Sequence, residues 1–444
     1  MSPSKKTAEP KSSDSCSLVF CDFHIHSKYS RATSINMDTE SLAHYAQLKG
    51  LDLIGTGDFT HPGWLKNLED SLSKIRDTNL YRLKASSTVQ THFMITGEVS
   101  TIFYTGNIAK KIHHLVLTPN FETAKQINDR IKSHGDLGSD GRPTLNMSAS
   151  ELVEEVMETS DENVVIPAHA WTPWYSLFGS INGFDRIEDC YQDMTKHIFA
   201  LETGLSSDPP MNWRLSNLDR FALVSNSDAH SPYPYRLGRE ANVFALERVS
   251  YGEILGAIRE KNPKRFRFTI ETNPAYGKYH WTGHRNCKVS VPASESKKLR
   301  SICPVCRRPL TRGVDERVED LADRETGFRP EGAIGYMHLL PLHEIIRAVL
   351  ELNSLSSPAV WKPYNSLVAA FGDEYTVLLY TPLELLEKVV EPHIADTIIK
   401  IRKDKVTVIP GYDGVYGEIK LCEEKKKENT GKYGVQSSLG QFMG

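Results

Sequence analysis

Long apolar runs, a secretory leader and a disulfide framework are all missing from this sequence of 444 residues. No uninterrupted apolar stretch approaches the roughly 18 residues that a membrane-spanning helix requires. Residues 1–17 lack the apolar centre of a signal peptide, and their polar composition predicts a disordered arm. Seven cysteines, with a single Cys-x-x-Cys pair, are typical of reduced thiols and a metal knuckle. We therefore expect a cytoplasmic protein.

A strong excess of charge is also missing, because the formal net charge is only −3 at pH 7. The cations are nevertheless concentrated in residues 261–312, which contain 13 Lys or Arg and only the acids Glu271 and Glu295, a local net charge of +11. Aromatic residues such as Tyr276 and Trp281 lie among these cations. This local asymmetry favours contact with a phosphate backbone, and a solvated linker is the alternative.

Short apolar strands alternate with helical patterns in the first part of the chain, which predicts α/β architecture with a parallel barrel or an open sheet. Most of the predicted strands end in His, Asp or Glu, and the carboxyl ends of such strands form an active-site face. The predicted regions are a disordered arm (1–17), the α/β domain (18–272), a basic zinc-binding region (273–325), a mainly helical DNA-binding domain (326–422) and a flexible tail (423–444).

His, Asp and Glu residues flank successive predicted strands. His24 and His26 form a His-x-His pair at a strand end, where alternation directs both side chains to one face. The others occur in the strings GTGDFTH, ITGEVS, HHLVL, PAHA and SNSDAH. The predicted metal ligands are His24, His26, Asp58, His61, Glu98, His114, His169, Asp228 and His230.

His113 is left out of this set, because alternation directs it away from the face that we assign to His114. Mixed His and carboxylate ligands suit zinc, manganese or iron. A site with more than one metal can activate water and stabilise both oxygens of an in-line displacement. Any one of these residues alone could be an ordinary polar residue at the end of a strand. Because His, Asp or Glu recurs at nearly every predicted strand, a shared metal site is favoured.

A second metal site is predicted in the basic region. His284-x2-Cys287 and Cys303-x2-Cys306 are two knuckles separated by 15 residues. This spacing supplies four tetrahedral ligands and predicts a structural zinc ion. A redox Cys-x-x-Cys pair is the alternative, but it would need a thioredoxin-like context that this segment lacks. His280 is a possible alternative ligand.

The order His-x-His, Asp, Glu, His-hydrophobic-Leu, Ala-His, Ser-Asp-Ala-His resembles the PHP (polymerase and histidinol phosphatase) superfamily. The resemblance implies a distorted (β/α)7 barrel with two or three divalent metals (Zn, Mn or Mg). The family motif Thr-Asp-His is Thr56-Gly57-Asp58 here, so whether Asp58, His61 or both bind metal stays open. The ligands that the resemblance implies are His24, His26, Glu98, His114, His169, Asp228 and His230.

Longer strings, among them FCDFHIHSKYSRATS, VSNSDAHSPYPYRLGREAN and IPGYDGVYGEI, resemble the endonuclease Q family of archaeal and bacterial repair enzymes. The resemblance extends from about Phe20 to Ile419. It implies incision of DNA on the 5′ side of uracil, hypoxanthine, xanthine or an abasic site, which leaves a 3′-hydroxyl and a 5′-phosphate. As a mechanistic hypothesis, Asp228 and His230 would orient and hold the attacking hydroxide, and the predicted catalytic residues are Glu98, Asp228 and His230.

Contacts with DNA are predicted next to the metal motifs. An aromatic loop follows His169 and could stack on a flipped base, with core packing as the alternative. Three arginines could bind phosphate, with surface salt bridges as the alternative. The predicted DNA-contacting residues are Arg31, Trp171, Trp174, Tyr175, Arg236 and Arg239.

The last residues resemble a peptide that binds the sliding clamp (PCNA). Gln436 is followed by an aliphatic residue, Leu439, and an aromatic residue, Phe442. One helical turn would place Leu439 and Phe442 on one face as anchors for a groove. Met443 stands where the motif has its second aromatic residue.

Two other functions share part of this pattern. A small-molecule PHP phosphatase, for example one acting on histidinol phosphate, would have the metal site but would not need a zinc region or the basic segment. A non-catalytic scaffold in a replication complex would tend to lose metal ligands, whereas this chain retains nearly all of them. Competition by duplex DNA and the metal content of the protein distinguish these possibilities.

Overall fold

The computed structural model describes residues 17–85 and 88–420, and every structural statement below refers to these ranges. The predicted arm covers residues 1–17, of which only Ser17 is described, as the first residue of a strand. The predicted tail (423–444) and its clamp-binding motif at Gln436, Leu439, Phe442 and Met443 lie outside the described residues. Within the described ranges, the helices are all too short or too polar to span a bilayer.

Strands and helices alternate through the first two thirds of the chain. The strands are β1 (Ser17–Asp22), β2 (Leu53–Gly55), β3 (Leu72–Ile75), β4 (Leu80–Leu83), β5 (His92–Thr105), β6 (Ile108–Thr118), β7 (Thr144–Leu145), β8 (Val164–Pro167), β9 (Ala200–Glu202), β10 (Ala222–Val224), β11 (Ala241–Leu246), β12 (Phe266–Glu271), β13 (Thr282–His284), β14 (Val289–Val291), β15 (Gly335–His338), β16 (Thr407–Ile409) and β17 (Glu418–Lys420). The α-helices are α1 (Thr39–Lys49), α2 (Pro62–Ser71), α3 (Phe121–Ile131), α4 (Ala149–Met157), α5 (Ile187–Tyr191), α6 (Pro209–Asn212), α7 (Tyr251–Glu260), α8 (Ala293–Lys298), α9 (Val314–Leu321), α10 (Leu342–Val349), α11 (Pro358–Phe371), α12 (Leu383–Leu386) and α13 (Pro392–Arg402).

Seven strands form a distorted barrel. β1, β2 and β5 are parallel neighbours, whereas β6 is antiparallel to both β5 and β8. β8 leads to β9 through a hydrogen bond from Ala170 N to Glu202 O, and β9 is parallel to β10. A parallel bridge between Ile25 and Ala229 closes the ring next to β1. The predicted α/β class and distorted seven-stranded barrel are confirmed.

Local capping residues set the ends of α1 and the start of α4. Asp38 caps α1 by accepting a hydrogen bond from Ser41 N at 2.9 Å, and Gly50 terminates this helix at φ +93°. A side chain at position 50 would also meet Asp373, because an added Cβ would lie 2.5 Å from its Oδ1. Ser148 and Glu151 form a capping box at the start of α4.

The chain after the zinc region returns to the first sheet before it becomes helical. Within the predicted helical domain (326–422), β15 pairs in parallel with β12, and α10 begins only after Pro341. Proline is compatible with a helix start and disfavours helix in the residue before it, which accounts for the difference. Helices α10, α11 and α13 then pack together, so the predicted helical C-terminal region is confirmed.

The helical region is joined to the barrel by buried polar contacts. Lys49 Nζ at the end of α1 lies 2.7 Å from Glu374 Oε1 and donates to Pro234 O at 3.0 Å. Tyr375 OH donates to Gly238 O at 2.6 Å. These contacts fasten the helices to the segment that follows β10.

Candidate metal-dependent active site

The first candidate metal group lies at the carboxyl ends of β1 and β10. His24 and His26 follow β1, Glu98 belongs to β5 and Asp228 follows β10. One ligand atom from each of these four residues lies within 4.8 Å of the others. His26 Nε2 is 3.1 Å from Asp228 Oδ1, and Glu98 Oε2 is 3.5 Å from His24 Nε2 and 3.3 Å from His26 Nε2.

A second group shares Glu98 with the first. Glu98 Oε1 lies 2.8 Å from His113 Nδ1 and 3.1 Å from His169 Nε2. The two oxygens of one carboxylate therefore face different sets of histidines, so Glu98 could contribute a ligand atom to each group. Together the two groups contain six side chains from five strand ends or strands.

His113, not His114, faces these groups, and the prediction for His114 is wrong. In the β5–β6 ladder, Glu98 lies opposite Leu115, so Glu98, Leu115 and His113 share the inner face. His114 points to the outer face, where its ring nitrogens lie 2.9 Å from Thr101 Oγ1 and from Tyr191 OH. Alternation along the strand was correct, but it could not say which of the two faces was inside.

Asp58 supports a ligand instead of being one. Its Oδ1 lies 3.0 Å from His26 Nδ1, and its Oδ2 accepts hydrogen bonds from Ser27 N, Ser27 Oγ and Ser30 Oγ at 2.6–2.8 Å. Burial would raise the pKa of Asp58, but His26 and Ser27 lower it overall, so the group is a carboxylate. The prediction of direct ligation by Asp58 is corrected to orientation of His26.

His61 also lies outside the metal groups. Its Nδ1 caps α2 by accepting hydrogen bonds from Gly63 N at 3.1 Å and Trp64 N at 3.3 Å. Since Nδ1 is an acceptor, the ring proton is on Nε2, which lies 3.1 Å from Gly138 O. Both nitrogens are used, so the prediction of metal ligation by His61 is wrong.

His230 lies at the rim of the first group. Its Nδ1 is 3.1 Å from Asp228 O, and its ring centroid is 4.3 Å from that of His26. The side chains of His230 and Asp228 are 32% and 29% exposed, whereas those of His24, His26 and Glu98 are fully buried. His230 is therefore placed to meet a substrate, although it belongs to neither group of ligands.

Glu202 is a functional residue that the sequence analysis did not identify. Its two oxygens each lie 3.0 Å from His24 Nδ1, and they also accept hydrogen bonds from His169 N at 2.7 Å and Asn226 Nδ2 at 2.8 Å. This contact directs the opposite nitrogen of His24 toward the first group. The sequence signal for Glu202 was the string ALETG, in which this carboxylate ends an apolar strand, as Asp and His residues do elsewhere in the chain.

The residues present fit divalent metal ions. His24 Nε2 and His169 Nδ1 are buried, and neither makes a hydrogen bond within the described ranges. Burial lowers the pKa of His113 to about 4, so this imidazole is neutral and can donate its lone pair. Burial would raise the pKa of Glu98, but His113, Arg142 and His24 hold it well below its usual range. Burial would lower the pKa of His24, His26 and His169, but the neighbouring carboxylates raise it overall, so a metal ion would bind these imidazoles in exchange for a proton. Imidazoles with buried carboxylates are ligands that zinc, manganese and iron accept.

Arg142 was also missed. Its Nη1 donates to Glu98 Oε2 at 3.0 Å, and its side chain is 28% exposed. It reaches the metal groups from the loop between α3 and β7, so no strand-end pattern marks it in the sequence.

The predicted DNA-contacting residues have different environments. Trp171 is buried, and its indole Nε1 donates to Asn212 Oδ1 at 2.8 Å, so the prediction of base stacking by Trp171 is wrong. Trp174 and Tyr175 are 38% and 42% exposed, and the Tyr175 ring centroid lies 5.0 Å from that of His113. Arg31 is exposed, with its Nε 3.4 Å from Asp140 Oδ2.

Arg236 and Arg239 belong to the segment that follows β10 and Asp228. Arg239 is more than half-buried, and it donates from Nε and Nη2 to Ser227 O at 3.0 and 2.8 Å. Ser227 is the residue directly before Asp228. Both arginines line a cavity of about 650 Å³ between the barrel, the zinc region and the C-terminal region. Further lining residues are Tyr276, Arg347, Tyr416, Glu344 and Glu418.

The predicted zinc ligands converge. His284 ends β13, Cys287 follows it in a tight turn, and Cys303 and Cys306 belong to the second knuckle. Their ligand atoms all lie within 4.8 Å of one another, and Cys306 Sγ is 3.4 Å from His284 Nδ1. Three sulfurs and one nitrogen in this geometry fit a structural zinc ion. His280 is buried away from this group, so the alternative that it is a ligand is wrong.

Sequence comparisons connect the chain to proteins from archaea and bacteria. Residues 341–405 match a family described as the MJ0043 C-terminal domain. The uncharacterised protein MJ0043 of Methanocaldococcus jannaschii is 32% identical over 265 residues, which cover 58% of this chain but only 32% of that protein. The chain thus matches about a third of the length of this relative. The uncharacterised protein YqxK of Bacillus subtilis is 27% identical over 419 residues, covering 90% of this chain and 99% of YqxK.

Two crystal structures are similar over nearly the whole chain. The lesion-specific endonuclease PfuEndoQ from Pyrococcus furiosus has a TM-score of 0.82 and 34% identity, covering 92% of this chain and 96% of PfuEndoQ. Endonuclease Q in complex with a 27-mer duplex that has an abasic lesion at the active site has a TM-score of 0.80 and 34% identity, with coverage of 92% and 97%. With this identity across both full lengths, the chain belongs to the endonuclease Q family of enzymes.

Proposed function

We propose that this protein is a metal-dependent DNA repair endonuclease that hydrolyses the phosphodiester bond 5′ of a deaminated base (uracil, hypoxanthine or xanthine) or an abasic site. The observation that carries the proposal is the pair of metal-ligand groups sharing Glu98 at an open barrel end. The similarity to an endonuclease bound to a duplex with an abasic lesion supports DNA as the substrate.

The side chains around Glu98 divide into a buried floor and an exposed rim. His24, His26 and Glu98 form the floor, which would hold the metal ions together with His113 and His169. Metal ions in such a site supply positive charge that favours hydroxide at neutral pH and stabilises the leaving 3′ oxygen. Asp228 and His230, whose side chains are about 30% exposed at the rim, would orient the attacking water.

The cavity beside Arg239 suits an extruded nucleotide. Its volume of about 650 Å³ is within the range of small-molecule sites. Arg236, Arg239 and Arg347 can pair with phosphate, and Tyr276 and Tyr416 offer rings for stacking. Extrusion costs least where base pairing is already weak, which favours deaminated and abasic positions.

We also propose that residues 273–325, with their zinc ion, and the helical region after Pro341 hold the duplex by its phosphates. The basic charge of residues 261–312 and the exposed side chain of Val305 between Cys303 and Cys306 support a role in contact with DNA.

The C-terminal tail supports a further proposal, that Gln436, Leu439 and Phe442 bind the sliding clamp. Binding of a peptide with residues 430–444 to the purified clamp, measured by calorimetry, tests it. The peptide should bind, and a Phe442→Ala peptide should not. Equal binding or no binding by both peptides would refute this role.

A nicking assay tests the main proposal. A labelled duplex with one deoxyuridine, deoxyinosine or abasic site is incubated with the protein and Mg²⁺, Mn²⁺ or Zn²⁺. We expect a nick at the phosphodiester 5′ of the lesion, none in undamaged DNA and none with Asp228→Asn. Asp70→Asn, the same change at an exposed position of α2, should retain activity. Metal-dependent release of phosphate from small monoesters without a lesion-dependent nick would refute the proposal and favour a phosphatase.

A further inference from the structure

Arg142 is the cation closest to the shared carboxylate of the metal groups. Its one side-chain hydrogen bond within the described ranges is the contact from Nη1 to Glu98 Oε2 at 3.0 Å. A guanidinium has five N–H donors, so most of its donors are not used by this contact. The floor residues Glu98, His24 and His26 are fully buried, whereas Arg142, Asp228 and His230 are about 30% exposed and form the rim that a substrate reaches first.

The loop that carries Arg142 is held firmly against the site. Gly141 N donates to Tyr29 O at 3.0 Å, and Thr60 Oγ1 donates to Gly141 O at 3.3 Å. A side chain at position 141 could not be accommodated, because an added Cβ would lie 2.3 Å from Asp58 Oδ2 and from Ser30 Oγ. The backbone before Arg142 therefore packs directly on the carboxylate that orients His26.

His61 fastens the other end of this loop. Its Nε2–H donates to Gly138 O at 3.1 Å, while its Nδ1 caps α2. Asp140 adds a further attachment, since its Oδ1 accepts hydrogen bonds from the main-chain N–H groups of Arg31 and Arg142 at 3.2 Å each. These contacts determine where the guanidinium of Arg142 can reach.

We propose that Arg142 is a catalytic residue that binds a non-bridging oxygen of the scissile phosphate, and that His61 is a positioning residue that holds its loop. This inference rests on the proposed phosphodiesterase function. A guanidinium forms bidentate contacts with phosphate, and positive charge beside the phosphorus stabilises the charge that develops during in-line displacement. Glu98 serves as the anchor that aims the side chain toward the rim before the substrate arrives.

A purely structural role of Arg142 makes a different prediction. If the guanidinium only neutralised Glu98, its removal would disturb the metal groups and lower the metal content. If it binds phosphate, its removal leaves the metals in place and slows the reaction. Metal content per chain, measured by mass spectrometry of the elements, therefore separates the two roles independently of activity.

The experiment compares Arg142→Ala and Arg142→Lys with Arg130→Ala, a matched control on α3 whose guanidinium pairs with Glu155 and Glu158 on the outer surface. The readouts are metal content and the single-turnover rate with saturating protein on a lesion duplex and on bis(4-nitrophenyl) phosphate. We expect full metal content in all three variants and a rate reduced about 10²–10³-fold by Arg142→Ala. Lysine should restore only part of the rate, because its ammonium cannot form a bidentate contact. Added guanidinium ion should accelerate Arg142→Ala and leave Arg130→Ala unchanged.

Loss of metal from Arg142→Ala, a rate within about threefold of wild type, or a slow rate that guanidinium does not raise would each overturn the inference. Failure of the proposed function has another signature, since the wild type would then hydrolyse the small diester without nicking lesion DNA. The small diester would still decide the role of Arg142 in that case.

His61→Asn tests the positioning role. Asparagine is a good N-cap and preserves the start of α2, but it is too short to reach Gly138 O. We expect the rate to fall about 5–20-fold with unchanged metal content, and His61→Asn/Arg142→Ala to be no slower than Arg142→Ala alone, because the two residues act through one contact. Additive losses in the double variant would overturn this role.

Discussion

Two adjacent histidines on β6 provide the most direct test of the metal groups, because the same substitution should have opposite consequences at each. His113 Nδ1 lies 2.8 Å from Glu98 Oε1, whereas His114 faces away from the groups and contacts Thr101 and Tyr191. The side chains have the same composition and neighbouring backbone positions, so each variant is the control for the other.

His114→Ala should destabilise the fold and leave the chemistry intact. Burial lowers the pKa of His114 to about 3, so the ring is neutral and joins Thr101 Oγ1 and Tyr191 OH at 2.9 Å each. A buried polar group left without a partner costs about 1–3 kcal/mol. Two such groups lower the free energy of unfolding by about 2–6 kcal/mol, which corresponds to a Tm decrease of about 2–7 °C for a chain of this length.

His113→Ala should instead remove a ligand. The second group would retain only Glu98 and His169, so we expect loss of about one bound metal and a nicking rate at least ~10²-fold lower. For His114→Ala at low temperature, metal content and rate should stay within about twofold of wild type, because the side chain does not reach Glu98.

Elemental analysis, thermal unfolding and single-turnover nicking of a lesion duplex measure these outcomes for both variants. The assignment of His113 to the inner face of β6 would be refuted if His114→Ala lost metal while His113→Ala retained its full content. That pattern requires the opposite face of the strand to point into the site.

Three further predictions concern the residues around the site. Glu202→Gln removes the charge that orients His24 and should lower metal affinity about 10–100-fold in a chelator competition; unchanged affinity would contradict this role. Cys303→Ser should lose the structural zinc and weaken duplex binding, while the rate of bis(4-nitrophenyl) phosphate hydrolysis stays within about twofold of wild type. Unchanged duplex affinity after loss of the zinc would contradict a role of the zinc region in DNA contact. Lys49→Met leaves Glu374 buried without its cation and should lower the free energy of unfolding in urea by about 3–5 kcal/mol, and Lys49→Met/Glu374→Leu should recover most of this loss.

Some of the site was predictable because its signals are local in sequence. His24, His26, His169 and Asp228 each follow an apolar strand, and strand ends of this kind meet at one edge of the barrel. Glu98 lies within the apolar strand β5. The zinc knuckles were predictable for a similar reason, since two ligands three residues apart already share one turn. Neither inference required knowledge of distant contacts.

The remaining residues depend on contacts between distant segments. His113 and His114 cannot be distinguished by alternation alone, because only the pairing of β6 with β5 and β8 decides which face is inside. Asp58 and His61 resemble metal ligands in the sequence. In the structure, Asp58 contacts His26, and His61 contacts Gly138, which is 77 residues further along the chain.

The sequence by itself determined the α/β class, most of the strands that carry polar residues, the zinc knuckles and the family resemblance, because hydrophobic periodicity and short motifs act over a few residues. The tertiary structure alone decided which polar residues lie in the candidate metal groups and which contact a member of those groups. It also placed Arg142 beside Glu98 from a loop 44 residues away and formed the cavity next to Arg239 from three separate regions. Distance and orientation between remote segments depend on how the strands pair and pack, and no local pattern encodes them.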